Sequence, residues 1–168
     1  RIKPCGGAIP PQAMREFDIP DAQLAARVGS ARMVAPSGRH VDMPIHAEGY
    51  VGIVDREPFD HWLRERAEGQ GARLRYGRFR QFERDADGIP LIRFQAEGQD
   101  EAVRARVVIG ADGANSMLAK QCVPGADRIP HVSAYHEILR SPTPEENPEF
   151  DGRRCDVYYQ GRLSPDFY

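Results

Sequence analysis

Several things are missing from this 168-residue chain, and each absence narrows what it can do. No apolar run approaches the roughly 18 residues needed to span a bilayer, and no basic leader followed by an apolar stretch opens the sequence. There is no polybasic tract. The 23 Lys and Arg stand against 25 Asp and Glu, a formal charge of −2, so nucleic acid is not an expected partner. Cysteine is scarce: Cys5, Cys122 and Cys155 are far apart, with no CxxC pair. An odd, scattered set argues against a disulfide framework and for a reducing, cytoplasmic compartment. The five histidines, His40, His46, His61, His131 and His136, show neither HxH nor HExxH spacing, so no metal site is expected. Neither an internal repeat nor a low-complexity segment is visible.

The most informative run present is Val107-Val108-Ile109-Gly110-Ala111-Asp112-Gly113-Ala114-Asn115-Ser116. Its β-branched start without polar alternation predicts a strand buried on both faces of an α/β sheet. Two glycines around Asp112 predict a sharp turn or a close backbone approach. Asn115 or Ser116 is placed to cap a helix over Met117–Gln121. Strand, acidic Gly-rich turn and helix N-terminus together form the kind of edge at which open α/β folds hold nucleotides. An ordinary βα turn with an incidental aspartate fits the same pattern.

Elsewhere, Cys5 sits beside Gly6-Gly7 with Lys3 nearby. Cationic neighbours lower a thiol pKa, so this is either a reactive thiolate or an inert packed cysteine. Residues 11–28 read as two short helices split at Ile19-Pro20. Met33–Ala35 and Val41–Ile45 flank Pro36-Ser37-Gly38 as a β-hairpin. Tyr50–Val54 is a short strand leading into Asp55-Arg56 and a helix from Glu57 to about Gln70, with Phe59, Leu63 and Trp62 on its apolar side. Arg56 at that junction is suited to a phosphate or carboxylate, or to an ion pair with Asp55 or Asp60. Residues 74–106 form a three-strand meander, with Asp85-Ala86-Asp87-Gly88 as one turn. Further strands are expected around Val132–Leu139 and Cys155–Tyr159. Tyr158, Tyr159, Phe167 and Tyr168 either line an apolar pocket or pack a sheet core.

Three runs then stand out together: Lys3-Pro4-Cys5-Gly6-Gly7-Ala8-Ile9-Pro10, Gly52-Ile53-Val54-Asp55-Arg56-Glu57-Pro58-Phe59-Asp60, and the Ala-Asp-Gly-Ala-Asn-Ser of 111–116. Their order resembles flavoproteins of the p-hydroxybenzoate hydroxylase fold, in which the last run is the DG motif. With Arg154–Tyr159 and Leu163-Ser164-Pro165-Asp166-Phe167-Tyr168, the chain is more narrowly similar to the geranylgeranyl reductase family of the (bacterio)chlorophyll type. The resemblance implies a mixed α/β fold: part of a Rossmann-like FAD/NAD(P)-binding flavoprotein with part of a substrate-binding β-sheet.

It further implies a division into 1–28 (flavin-proximal loop and helices), 29–49 (substrate-domain hairpin), 50–122 (part of the FAD-binding domain, with helix, meander and DG motif) and 123–168 (start of the prenyl-binding sheet). The family's GxGxxG unit and its C-terminal region are absent, and the chain begins at Arg1, so an internal piece, inactive alone, is expected. The implied activity is saturation of geranylgeranyl C=C bonds to phytyl, with FAD and NADPH as cofactors. The substrate is a geranylgeranyl-bearing pigment or geranylgeranyl diphosphate, with peripheral contact at a photosynthetic inner membrane. Cys5, Gly6, Ala8, Arg56, Asp112 and Gly113 match cofactor-proximal positions. Phe167 and Tyr168 match the start of the prenyl pocket, and Cys5 is either the proton donor or a shaping residue. A flavin-dependent aromatic hydroxylase of the same fold and a non-catalytic nucleotide-binding module are the competing readings.

Overall fold

The computed structural model describes residues 5–45, 49–131 and 134–159. They fall into two compact units, Arg1–Ala67 with Ala134–Tyr168, and Glu68–Ser133.

The first unit is built on two small sheets. In one, β5 (Val51–Ile53) is the central strand, flanked antiparallel by β1 (Ala8–Ile9) and β2 (Ala26–Val28). Between β1 and β2 lie α1 (Pro11–Glu16), entered through Pro10 and Pro11, and a 3₁₀ turn at Asp21–Gln23. Proline at the first helical position loses no intrahelical bond and is preset in φ. The helix expected to continue through Leu24–Arg27 is not formed: Leu24 and Ala25 lead into β2, and Ala26 and Arg27 are already paired with β5. The Ala25 N–H donates to the Ile53 carbonyl at 2.7 Å and starts the ladder. Gly52 makes that pairing compact: a Cβ there would lie 2.6 Å from Leu24 Cδ2 and 2.9 Å from Met14 Sδ.

The other sheet has β3 (Ser30–Val34) at its centre, antiparallel to β4 (His40–Pro44) and parallel to β9 (Arg154–Tyr158). The β3–β4 connection closes at Pro36-Ser37-Gly38, with Ala35 N–H donating to the Arg39 carbonyl at 2.8 Å. This is the expected hairpin, a turn with Pro at its second position followed by a left-handed residue. The sheet's faces differ sharply. Arg32 forks onto Asp42 at 2.6 and 2.9 Å, and Arg154 onto Asp156 at 2.6 and 3.0 Å, all on one face by the pairing register. Ala31, Met33, Val41, Met43 and Val157 alternate to the other, where a cavity of about 430 Å³ is lined by Met33, Ala35, Pro36, Arg39, Val41 and Tyr159.

Two residues, Val54 and Asp55, separate β5 from helix α2 (Arg56–Gly69), and the Asp55 carboxylate accepts the Glu57 N–H at 3.1 Å. Phe59 is buried with Val28 and Val54 and stacks on Trp62, ring centroids 5.6 Å apart.

In the second unit, β6 (Arg78–Arg84), β7 (Pro90–Ala96) and β8 (Gln99–Arg104) form the expected antiparallel meander. At the β6–β7 turn, the Asp85 carboxylate accepts the Asp87 and Ile89 N–H groups, each at 2.9 Å. Helix α3 (Met117–Cys122) is held against β6 by Gln121, whose side chain accepts the Phe82 N–H at 2.8 Å and donates to the Arg80 carbonyl at 3.1 Å.

Two expected strands are not formed. Val107–Ile109 is irregular, with Val107 74% and Ile109 85% exposed. Residues 134–139 likewise have no regular structure, with Tyr135 86% exposed. A strand exists only through a partner's backbone, and no described strand pairs with either run. Among the described residues no helix is long and apolar enough to cross a membrane.

Candidate functional site

The Cys5-Gly6-Gly7 loop is fastened to the end of β5. The Val54 N–H donates to the Gly7 carbonyl at 3.0 Å, and Ala8 and Ile9 pair with Ile53 and Gly52. Gly7 has φ +73, and a Cβ on it would lie 2.2 Å from the Val54 carbonyl oxygen. Only glycine combines that left-handed backbone with that approach. Gly6 is the opposite case, since a Cβ there would meet no heavy atom within 4 Å. One glycine is required by the fold, and its neighbour leaves open ground.

The folded loop brings Cys5 and Arg56 together. The Gly7 N–H donates to Cys5 Sγ at 3.5 Å. That N–H is the largest cause holding the Cys5 thiol below its ordinary pKa; partial burial opposes it, and the Arg56 guanidinium adds to it. Arg56 is fixed by a fork onto Asp60, Nε–Oδ1 2.9 Å and Nη2–Oδ2 3.2 Å. This i,i+4 pair is only 23% and 15% exposed. Asp60 first, then Cys5, raises the Arg56 pKa. The Cys5 thiol therefore sits beside a permanent cation with its pKa held below the ordinary thiol value.

These groups open onto a cavity of about 280 Å³ in the first unit, whose lining includes Cys5, Gly6, Ile53, Asp55, Arg56 and His136. Glu137 and Ile138 line it as well. Of the residues singled out in the sequence, Cys5, Gly6 and Arg56 share this cavity, while Ala8 lies in β1 and is not among its lining residues. His136 and Glu137 carry no motif or spacing and were invisible before folding. Phe167 and Tyr168 lie outside the described residues.

Asp112 and Gly113 lie in the second unit. The Asp112 carboxylate is engaged by its own loop: it accepts the Ser116 hydroxyl, the Met117 N–H at 2.8 Å and the Leu118 N–H at 3.2 Å. Ser116 Oγ in turn caps α3 by accepting the Ala119 N–H at 2.8 Å. These bonds, Ser116 first, lower the Asp112 pKa. The N–H groups expected to be free for a ligand are thus occupied by side chains. Gly113, at φ +87 with nothing within 4 Å of a Cβ, leaves its backbone accessible.

A flavin fits the first unit in part. The cavity lies near the lower limit of roughly 300–1,000 Å³ for small-molecule sites, so it suits a ring rather than a whole dinucleotide. The open surface over Gly6 would admit a flat face, and Arg56 would meet an electron-rich carbonyl edge.

A family model described as an FAD binding domain matches residues 22–137. The chain is 54% identical over 169 residues to geranylgeranyl diphosphate reductase of Rhodobacter capsulatus, covering 100% of this chain and 42% of that protein. It is 34% identical to the chloroplastic geranylgeranyl diphosphate reductase of Oryza sativa subsp. japonica, covering 99% and 38%. The chain thus spans about two fifths of the length of these curated relatives. Among solved structures, a triple mutant of the flavin-dependent brominase Bmp2 superposes with TM-score 0.60 at 21% identity, over 71% of this chain and 32% of that one, a likeness of fold alone. With the family match extending from the 3₁₀ turn before β2 to the cavity-lining Glu137, the chain belongs to the FAD binding domain family.

Proposed function

We propose that this chain is the flavin-proximal part of an FAD-dependent reductase that saturates the C=C bonds of a geranylgeranyl chain, with NADPH as electron donor. What carries the reading is its 54% identity, along its whole length, to a protein named for that activity. The cavity formed by the Cys5 loop and Arg56 gives it a physical site. Such an alkene is unactivated, so the site must align the reactants closely and supply a proton at the right moment.

Bound FAD, once reduced, supplies hydride. Cys5, Gly6 and the Asp60-fixed Arg56 would hold the group, with Cys5 and Gly6 bounding its site and Arg56 offsetting negative charge on it. Asp112 acts through its loop, setting the backbone of Gly113 rather than offering a free carboxylate. The apolar face of the β3–β4–β9 sheet, with Met33, Val41 and Val157, suits an isoprenoid chain. An isoprenoid substrate also brings the protein to a membrane surface from the cytoplasmic side.

The test uses the full-length protein with FAD and NADPH, given either geranylgeranyl diphosphate or a geranylgeranylated (bacterio)chlorophyllide. Mass analysis should show products gaining hydrogen in pairs. Absence of any dihydro product from both substrates would remove the reading.

A further inference from the structure

We propose that Asp60 is a positioning residue for the flavin: by holding one edge of the Arg56 guanidinium it reserves the other for the cofactor. The assignment rests on the flavin placement above. Arg56 lines the cavity at the Cys5 loop, whereas Asp60 is not among its lining residues. Any contact between Asp60 and a bound ring therefore runs through Arg56.

The fork fixes which donors remain. A guanidinium is planar and carries N–H donors along more than one edge. Asp60 takes the edge formed by Nε and Nη2, at 2.9 and 3.2 Å. The end formed by Nη1 and the second Nη2 N–H is left, and its parallel donors suit a pair of oxygen acceptors. The partial burial of both side chains protects the pair from the screening that weakens surface ion pairs. Turning the guanidinium would break both bonds of the fork at once, so the remaining end keeps its direction.

A role confined to the helix explains the pair poorly. Arg56 is the first residue of α2, and Asp60 is its i,i+4 partner. Helix N-termini favour anions, and the i,i+4 order with the cation first is the weaker one. The acid that serves this helix end is Asp55, which accepts the Glu57 N–H. Arg56 thus stands against the helix's own preference, where its side chain reaches the cavity.

Charge and position predict opposite signs. FAD carries a diphosphate and is an anion, so deleting a carboxylate beside its site would by charge alone leave binding unchanged or tighten it. Loss of position weakens it. Cys5 offers the same contrast without cofactor. The Asp60 charge raises the Cys5 pKa, but the hydrogen bond from Arg56 lowers it by more. Without Asp60, charge alone would lower that pKa further, whereas a released Arg56 lets it rise.

The experiment titrates FAD into the full-length apoprotein by flavin fluorescence, as a double-mutant cycle. Asp60→Ala should weaken binding roughly tenfold or more, and Arg56→Ala at least as much. Adding Asp60→Ala to Arg56→Ala should change affinity by less than about twofold, because the group through which Asp60 acts is gone. Iodoacetamide labelling of Cys5 in the apoprotein at neutral pH, read by peptide mass spectrometry, should be slower in Asp60→Ala than in wild type. Asp60→Asn keeps the side-chain shape and one acceptor oxygen. It should move both readouts in the same directions by less, with urea unfolding of each apoprotein as the check on folding. Undiminished or tighter FAD binding in the Asp60 variants, a loss that persists in the Arg56→Ala background, or faster Cys5 labelling overturns the role. A wild-type protein that takes up no FAD removes the flavin placement itself, and none of these readouts depends on the alkene reaction.

Discussion

Substituting the two adjacent glycines separately should split fold from function. Gly7→Ala places a methyl 2.2 Å from the Val54 carbonyl oxygen, on a backbone at φ +73. The left-handed backbone alone costs a side-chain-bearing residue about 1–2 kcal/mol. Relieving the clash means moving β1 from β5 and losing the 3.0 Å bond from Val54 N–H to Gly7 O, a further ~1 kcal/mol. The expected loss is therefore about 2–3 kcal/mol, read from urea unfolding of the full-length protein in the absence of FAD. Gly6→Ala meets nothing within 4 Å and should leave that stability within about 0.5 kcal/mol, as for an ordinary exposed site. Its methyl instead occupies the open ground over the cavity and should weaken FAD binding tenfold or more, about 1.4 kcal/mol. A Gly7→Ala protein as stable as wild type would refute the account of how the loop is fastened. Undiminished FAD affinity in Gly6→Ala would refute the placement of the ring.

Other expectations follow from the same contacts. Arg56→Gln should raise the Cys5 pKa, since the guanidinium helps lower it, and site-resolved alkylation at neutral pH should slow accordingly while the Gly7 N–H preserves part of the shift. Because Asp112 has a lowered pKa in the folded loop, its stabilisation is complete above the ordinary carboxylate range and is lost as pH falls through the lowered value. Protection of the Met117 and Leu118 amides, measured as exchange relative to the intrinsic rate at each pH, should fall in acid, and Asp112→Ala should abolish that pH dependence. Phe59→Ala removes a buried ring stacked on Trp62 and should cost about 3–5 kcal/mol in urea unfolding.

What the sequence revealed was what local chemistry dictates. The β3–β4 hairpin follows from Pro36-Ser37-Gly38, the β6–β7 turn from Asp85, and α3 from the Ser116 cap. Each is set by residues within a few positions of one another. Failures occurred where a partner decides. Leu24–Arg27 has helix-forming composition, yet pairing with β5 overrides that weak preference. Val107–Ile109 has the composition of a buried strand, but no described neighbour gives it a ladder. The site divides the same way. Cys5, Gly6 and Arg56 were legible because a glycine pair and a strand-to-helix junction mark them. His136 and Glu137 reach the cavity from a segment some 80 residues beyond Arg56 with no regular structure of its own, and nothing in local spacing could announce that.

The central claim is that this cavity presents a flavin to an isoprenoid alkene, and one single-turnover measurement tests it most directly. The full-length holoprotein, with its flavin fully reduced and oxygen excluded, is mixed with geranylgeranyl diphosphate. The account predicts that the yellow oxidised flavin returns in step with one dihydro product per flavin. A flavin that stays reduced until oxygen is admitted, with the substrate recovered unchanged, would contradict it.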